Sequence, residues 1–251
     1  MVDTHTHLTM DEFPDREEIV RNFKGDGIEF VIEIGFDLVS SKKSIEFSSK
    51  HSRVFSSVGV HPHDVKDLKD GWDKEIEKLL ESKKVIAVGE IGLDYYRDLS
   101  PRDLQRKYFE IQLEIAKRHK MPVILHVRDA YKDAYEIVKM FDIKGVLHSF
   151  NGKMEDLKNF LDVGFYIGVG GMSTYKKNEE LRKILSFAPL DRILTETDCP
   201  YLSPQPVRGK RNEPKYVRFT IENLCTIFKR PFEEIETMTS QNAKNLFGIT
   251  L

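Results

Sequence analysis

The residues of this chain that can do chemistry fall into a regular pattern. In Val2-Asp3-Thr4-His5-Thr6-His7 two histidines stand at i and i+2 of an extended segment, so both imidazoles project from one face. A plain apolar core has no use for two adjacent polar rings, whereas a metal ion does. Comparable residues close later apolar runs: His61 and His63, Glu90 and Asp94, His126 and Arg128, His148, then Glu196 and Asp198. Six of the eight histidines sit at such ends, and only His51 and His119 read as helical.

The donor set allows two divalent ions. His5, His7 and Asp198 suffice for one, His126 and His148 for a second, and Glu90 bridges both through its two oxygens. Imidazole with carboxylate and no thiolate suits Zn, Mn, Co or Ni better than an all-oxygen Mg site, with Zn, Mn and Mg all admitted. The plainer alternative is a buried His/Glu/Asp hydrogen-bond network.

Such residues need a scaffold that gathers strand ends. Period and punctuation predict strands over Val2–His7, Phe30–Gly35, Val54–Val60, Val85–Ile91, Val123–Val127, Val146–Ser149, Phe165–Val169 and Ile193–Thr197. Several are continuous β-branched or aliphatic runs, as strands covered on both faces require. Amphipathic helices lie between them. One is expected from an N-cap at Ser100 with Pro101 in its first turn, and with Leu104, Tyr108, Ile111 and Ile115 on the inner face. Another spans Asp129–Asp142, with Ala130, Ala134, Ile137, Val138 and Phe141 inward. A polar loop, Cys199–Asn212, precedes a helix bearing Val217, Ile221, Leu224 and Phe228. A last helical pair follows, its second part running from Ser240 to a stop at Gly248. Eight strand–helix repeats without a linker or composition break predict one domain over residues 1–251, a single (β/α)8 TIM barrel. In that fold chemistry sits at the C-terminal ends of the strands. A doubly wound sheet is disfavoured because no Gly-rich phosphate turn follows the first strand.

The 251 residues are 40% hydrophobic, enough for a sizeable core, and the formal net charge of −2 announces no general nucleic-acid binder while leaving local contacts open. Two cysteines, Cys199 and Cys225, suggest a reducing compartment. No basic-then-apolar leader precedes the first strand and no apolar run approaches membrane-spanning length, so a cytoplasmic protein with no membrane partner is expected, as a monomer. Plentiful Lys and Glu beside sparse Asn and Gln hint at a thermophilic source.

Taken together, Asp3-Thr4-His5-Thr6-His7, Gly59-Val60-His61-Pro62, Gly89-Glu90-Ile91-Gly92-Leu93-Asp94, Leu125-His126-Val127-Arg128, Leu147-His148-Ser149-Phe150 and Thr195-Glu196-Thr197-Asp198 resemble the signatures of the TatD-type metal-dependent deoxyribonucleases, within the amidohydrolase-like barrel superfamily. The resemblance covers essentially the whole chain and extends to Gly209-Lys210-Arg211-Asn212-Glu213-Pro214. It implies a (β/α)8 fold, a divalent-metal centre and 3′-to-5′ exonuclease or related DNA-repair activity. It also implies metal-ligand roles for His5, His7, Glu90, His126, His148 and Asp198.

Individual residues then take expected roles. Arg128 shares its side of the strand with His126, where a guanidinium suits a phosphate; the alternative is an ion pair with Asp129 or Glu90. Asp198 is both ligand and candidate base for the attacking water, and Glu196 orients that water or a histidine, or holds a further ion. His61 is expected to contact substrate or support a ligand, His63 to be a surface residue, Asp94 to cap a loop, and Cys199 to pack. Arg208, Lys210 and Arg211 would hold a polyanion, and Tyr95, Tyr96 and Tyr201 would stack on bases of a single strand. DNA with single-stranded or frayed ends is the expected substrate. The competing readings are a binuclear amidohydrolase or esterase acting on a small molecule, and a non-catalytic metal-bound protein. Against the former, this chain offers Glu90 on its fourth strand, where many binuclear amidohydrolases carry a carboxylated lysine.

Overall fold

A computed structural model describes residues 1–250. Eight parallel strands are hydrogen-bonded in sequence order: β1 (Val2–Thr6), β2 (Phe30–Ile34), β3 (Val54–Val58), β4 (Val85–Asp94), β5 (Val123–Arg128), β6 (Gly145–Leu147), β7 (Tyr166–Val169) and β8 (Ile193–Thr195). Beyond Thr195 the chain continues alongside β1: Asp198 N–H donates to His5 O (2.9 Å) and His7 N–H to Cys199 O (2.9 Å), which brings the two edges of the barrel together. The helices are α1 (Arg16–Asn22), α2 (Leu38–Lys50), α3 (Trp72–Leu79), α4 (Arg102–His119), α5 (Tyr131–Val138), α6 (Met154–Asp162), α7 (Glu179–Leu185), α8 (Val217–Phe228) and α9 (Phe232–Phe247). None is long and apolar enough to cross a membrane.

The barrel interior is filled by alternate strand residues, among them Val2, Phe30, Ile32, Ile34, Ile124 and Leu194, and Ala243, Leu246 and Phe247 of α9 join the same cluster. Because Val2 and Phe30 begin their strands, α9 closes the N-terminal end of the barrel. The C-terminal end is left for polar groups. The larger apolar layer lies between sheet and helices, from Val58 and Ile91 to Leu113, Phe160 and Ile221.

The elements depart from their predicted bounds in ways that matter. Glu90 lies inside a ten-residue β4 rather than at its end, because that strand runs on to Asp94 beside β5. The close passage needs Gly92, at φ 142°, where a Cβ would collide with the His126 carbonyl. Ser100 does not cap α4: Pro101 occupies the cap position, while the Ser100 hydroxyl donates to His63 O and accepts from Lys66 N–H. The inner face of α4 is Gln105, Phe109, Gln112, Leu113 and Ala116 along with Ile115, and Leu104, Tyr108 and Ile111 are half-buried beside it. Two buried glutamines had broken the apolar periodicity. The helical pair expected after α8 is instead one continuous helix, α9, capped by Gly248 at φ 65°.

Candidate metal centre

The predicted residues converge at the C-terminal rim, in three overlapping groups: His5, His7 and Glu90; His5, His148 and Asp198; and His61, Glu90 and His126. Within each, the candidate ligand atoms all lie within 4.8 Å of one another. An irregularity in β1 between Asp3 and Thr6 resets its alternation, so that His5 and His7 face inward although Val2 does too, and Asp198 turns toward them from a left-handed backbone at φ 62°, a conformation that aspartate tolerates.

Around His5, His7 and Asp198 the separations distinguish a metal pocket from a hydrogen-bond network, whereas His126 Nδ1, 3.1 Å from Glu90 Oε1, stands at hydrogen-bond distance. Two donors each about 2.1 Å from one tetrahedral ion stand roughly 3.4 Å apart, whereas a hydrogen bond is about 2.7–3.2 Å. His5 Nε2 is 3.5 Å from Glu90 Oε2 and 3.8 Å from Asp198 Oδ1; His7 Nε2 and His148 Nε2 are 3.5 and 3.7 Å from the same Asp198 oxygen. His61 Nε2 is 3.9 Å from Glu90 Oε1. His5 is fully buried, yet neither of its ring nitrogens has a hydrogen-bond partner among the described residues, and His7 Nδ1 has none either. Buried polar groups are rarely left so. The pocket fits a cation.

His148 stacks on His5, ring centroids 3.4 Å apart, and its Nε2 faces both groups, 3.7 Å from Asp198 Oδ1 and 4.0 Å from Glu90 Oε1, the oxygen that His126 also approaches. Glu196 draws it there: one oxygen is 2.9 Å from His148 Nδ1 and accepts Ser149 N–H at 2.6 Å. Gly168 makes the room, since a Cβ on it would lie 2.6 Å from Glu196 Oε2. Glu196 therefore orients a histidine and is fully buried in doing so. His61, expected to contact substrate or support a ligand, joins Glu90 and His126. Gly59 packs tightly on Gly89, which brings the end of β3 over β4. Glu90 reaches both groups, with Oε1 3.1 Å from His126 Nδ1.

Asp94 both caps and orients. Its Oδ1 accepts Tyr96 and Arg97 N–H, and its Oδ2 lies 3.0 Å from His126 Nε2 and 2.9 Å from His63 Nε2. His63 is consequently tied into the site edge rather than loose on the surface.

Protonation follows from the surroundings. Burial and neighbouring His148 push His5 down, and burial with His126 pushes His61 well down, so both are neutral donors. Burial would raise Glu90 and Asp198, but the histidine cluster outweighs it and holds both below the usual carboxylate range. His148 is driven the other way: burial opposes its charge, yet Glu196, Asp198 and Glu90 raise it to about 10. His7 and His126 are raised too.

Around this centre the expected polyanion contacts separate. Arg128 lies over the exposed Tyr96 ring, 3.9 Å from its centroid, and the alternative pairing with Asp129 or Glu90 is absent among the described ion pairs. Arg208 stacks on Tyr175 at 3.9 Å, and with Lys210 and Gly209 lines an open groove. Arg211 is different. Its guanidinium is engaged by both oxygens of Asp15 at 2.7 Å, by Glu213 and by Glu12 O, so its charge is spent in pinning the loop to the α1 end. Tyr95 hydrogen-bonds Asp133 and carries Arg102 on its face, whereas Tyr201 is exposed near His7. Cys199 is a buried, free packing thiol.

Several organising residues escaped the sequence reading. Asp3 accepts Thr197 N–H and hydroxyl and His5 N–H, tying β1 to the turn that bears Asp198. Glu33, alone among aliphatics in β2, receives Leu8 N–H and Thr9 N–H and hydroxyl just past His7. A carboxylate inside an otherwise apolar strand was the available signal.

A parallel barrel with a histidine–carboxylate cluster at its C-terminal rim defines the class of metal-dependent hydrolases. Comparison with known proteins narrows it: residues 2–248 match the family described as TatD related DNase, and the chain belongs to that family. It is 36% identical to the uncharacterized metal-dependent hydrolase YabD of Bacillus subtilis, over 99% of both chains, and 33% identical to the 3′-5′ ssDNA/RNA exonuclease TatD of Klebsiella pneumoniae, over 99% of this chain and 98% of the relative. The crystal structure of YJJV, a TatD homolog from Escherichia coli, superposes with a TM-score of 0.94 at 28% identity, covering 100% of this chain and 98% of that one.

Proposed function

We propose that this hydrolase is a 3′-to-5′ exonuclease acting on single-stranded or frayed nucleic acid. The observation that carries the reading is a pocket of ligand-spaced donors near Arg128, a guanidinium without a carboxylate partner among the described residues. The Klebsiella relative, named a 3′-5′ ssDNA/RNA exonuclease, agrees with it.

In this reading two divalent ions would be held, one by His5, His7 and Asp198 and the other on the side of His61 and His126, with Glu90 and His148 facing both groups. Bound there, divalent ions supply Lewis acidity for the phosphoryl oxygens and lower the pKa of water. The chain's own groups do the rest. Asp198, ionised by its histidine neighbours, accepts the proton of the attacking water. The water oxygen forms a bond to phosphorus as the bond to the 3′-oxygen of the preceding nucleotide breaks. That oxygen takes a proton from solvent and leaves as a hydroxyl, Asp198 returns its own proton to solvent, and a 5′-mononucleotide is released. Glu196 keeps His148 in place. Arg128 grips a non-bridging phosphate oxygen, braced by the Tyr96 ring, and the developing charge makes that contact stronger in the transition state. Arg208 and Lys210 hold the neighbouring backbone, while Tyr96 and Tyr201 are placed for bases to stack.

End-labelled single-stranded DNA and RNA, incubated with the purified protein and a panel of divalent metals, test the reading. A ladder shortening from the 3′ end is expected. A metal-replete protein that releases no nucleotide yet hydrolyses amides, lactones or small esters establishes the amidohydrolase reading instead.

A further inference from the structure

Two of the most buried polar side chains in the molecule take no part in the chemistry above. Gln105 and Gln112 stand seven residues apart on α4, two helical turns, and so share the face pressed on the sheet. Both are essentially inaccessible to solvent. Each closes a two-bond ring with one residue's backbone. Gln112 Oε1 accepts Val60 N–H at 2.7 Å while its Nε2 donates to Val60 O at 3.0 Å. Gln105 Oε1 accepts Asp94 N–H at 2.8 Å while its Nε2 donates to Asp94 O at 3.1 Å and to Ser100 O at 2.8 Å.

The carboxamide is the side chain whose donor and acceptor match a peptide group. Here it does what a further strand would do. β3 has ended at Val58, and neither the N–H nor the C=O of Val60 has a backbone partner among the described residues. β4 cannot provide one at this level, because Glu90 N–H is turned to Gly35 O beyond β2. Gln112 fills that gap.

What the two rings hold is specific. Val60 precedes His61, whose own N–H is fixed by Phe36 O at 2.8 Å, so the backbone of His61 is clamped from both sides. Asp94 carries the carboxylate that lies 3.0 Å from His126 Nε2 and 2.9 Å from His63 Nε2. His61 and His126 are the two histidines grouped with Glu90 in one half of the centre. The other half is framed by other means: Asp3 at the His5 and Thr197 backbones, Glu33 just past His7, and Glu196 at His148. Neither glutamine reaches any of these.

We infer that Gln105 and Gln112 are positioning residues for the His61–His126 half of the metal centre alone, α4 acting as the template that spaces these two histidines about Glu90. The inference rests on the two-ion reading of the site and is independent of its substrate.

The test is metal titration of the ion-free protein with Mn²⁺, by calorimetry and by electron paramagnetic resonance, for wild type, Gln105→Leu and Gln112→Leu. Wild type takes two ions with a spin-coupled signal. Each variant is expected to keep the first ion at wild-type affinity and to bind the second 10–100-fold more weakly, replacing the coupled signal by that of an isolated ion. Glu196→Gln, acting on His148, whose Nε2 faces both Asp198 and Glu90, is expected to weaken both ions. If the leucine variants do not fold, Gln105→Glu and Gln112→Glu keep the volume and the oxygen that accepts the backbone N–H but cannot donate to the carbonyl, and the same selective loss is expected of them. Two ions at wild-type affinity in folded variants, equal weakening of both ions, or failure of the glutamate variants to fold each overturns the inference. A wild type that binds one ion refutes the two-ion reading and this inference with it, an outcome distinct from variants that match a two-ion wild type.

Discussion

Metal binding to this site should release protons, and the surroundings of His148 fix how many at least. Glu196, Asp198 and Glu90 raise that imidazole to about 10, so at pH 7 it is protonated in the ion-free protein. An imidazole ligand must be neutral. Displacing the proton at pH 7 spans about three pH units, which costs about 4 kcal/mol, or about a thousandfold in apparent affinity. Affinity should therefore climb about tenfold per pH unit from pH 7 toward 9. Calorimetry in buffers of different ionisation enthalpy should count at least one proton released per protein at pH 7, and more as His7 and His126, also raised, give up theirs. The ion-free protein gives the complementary sign. A histidine raised in the folded state contributes stability that is fully present below pH 6.5 and is lost as pH rises through about 10. The ion-free form should thus become less stable across that window, while the loaded form gains stability. Glu196→Gln, which removes the largest group raising His148, should flatten the affinity–pH slope. An absence of proton release at pH 7, or an affinity that is level between pH 7 and 9, refutes the reasoning.

Three further outcomes follow from the geometry. Glu90→Gln should weaken binding of every ion, since Glu90 faces His5 on one side and His61 and His126 on the other; removing one partner of a buried charge pair costs about 3–5 kcal/mol, about 10²–10⁴-fold in affinity, measurable by elemental analysis after dialysis. Arg128→Ala should leave metal content intact and lower kcat about 10²–10³-fold if the guanidinium serves the transition state, and a change in KM alone speaks against that role. Reversing Arg208 and Lys210 should weaken single-strand binding and reduce the salt slope by about 1.4 for two lost phosphate contacts, whereas Arg211→Ala should lower the melting temperature with the slope little changed, because its charge is already paired with Asp15 and Glu213.

The barrel was legible because strands buried on both faces must be nearly continuous apolar runs, and because polar residues in such runs collect where the strands end. Fold class and the membership of the histidine cluster follow from that alone. Which histidine stands beside which does not. In sequence His148 is as close to His126 as His61 is remote, yet Glu196 on the next strand but one pulls His148 over His5, and Gly59 packing on Gly89 brings His61 over Glu90. Side-chain neighbours around a closed barrel depend on stagger and on glycines that permit close approach, and neither has a one-dimensional period. The role of Arg211 was hidden for the same reason: its partner Asp15 lies nearly two hundred residues earlier, separated by 196 positions.

Gln105 and Gln112 mark the other limit. A helix read by hydrophobic period assigns its inner face to Leu104, Tyr108 and Ile111, because an amide scores as polar. Inside a protein the same amide is apolar in effect once its donor and acceptor are both matched, and both here are matched by the N–H and C=O of a single residue. Burial cost then falls away, and the side chain becomes a piece of sheet carried by a helix. The error of period and the site's need for order thus have one cause. Where strands of unequal length stop at different heights, exposed backbone groups remain at the rim beside the metal ligands, and the helix that covers them must be polar at those two points and at no others on its inner face.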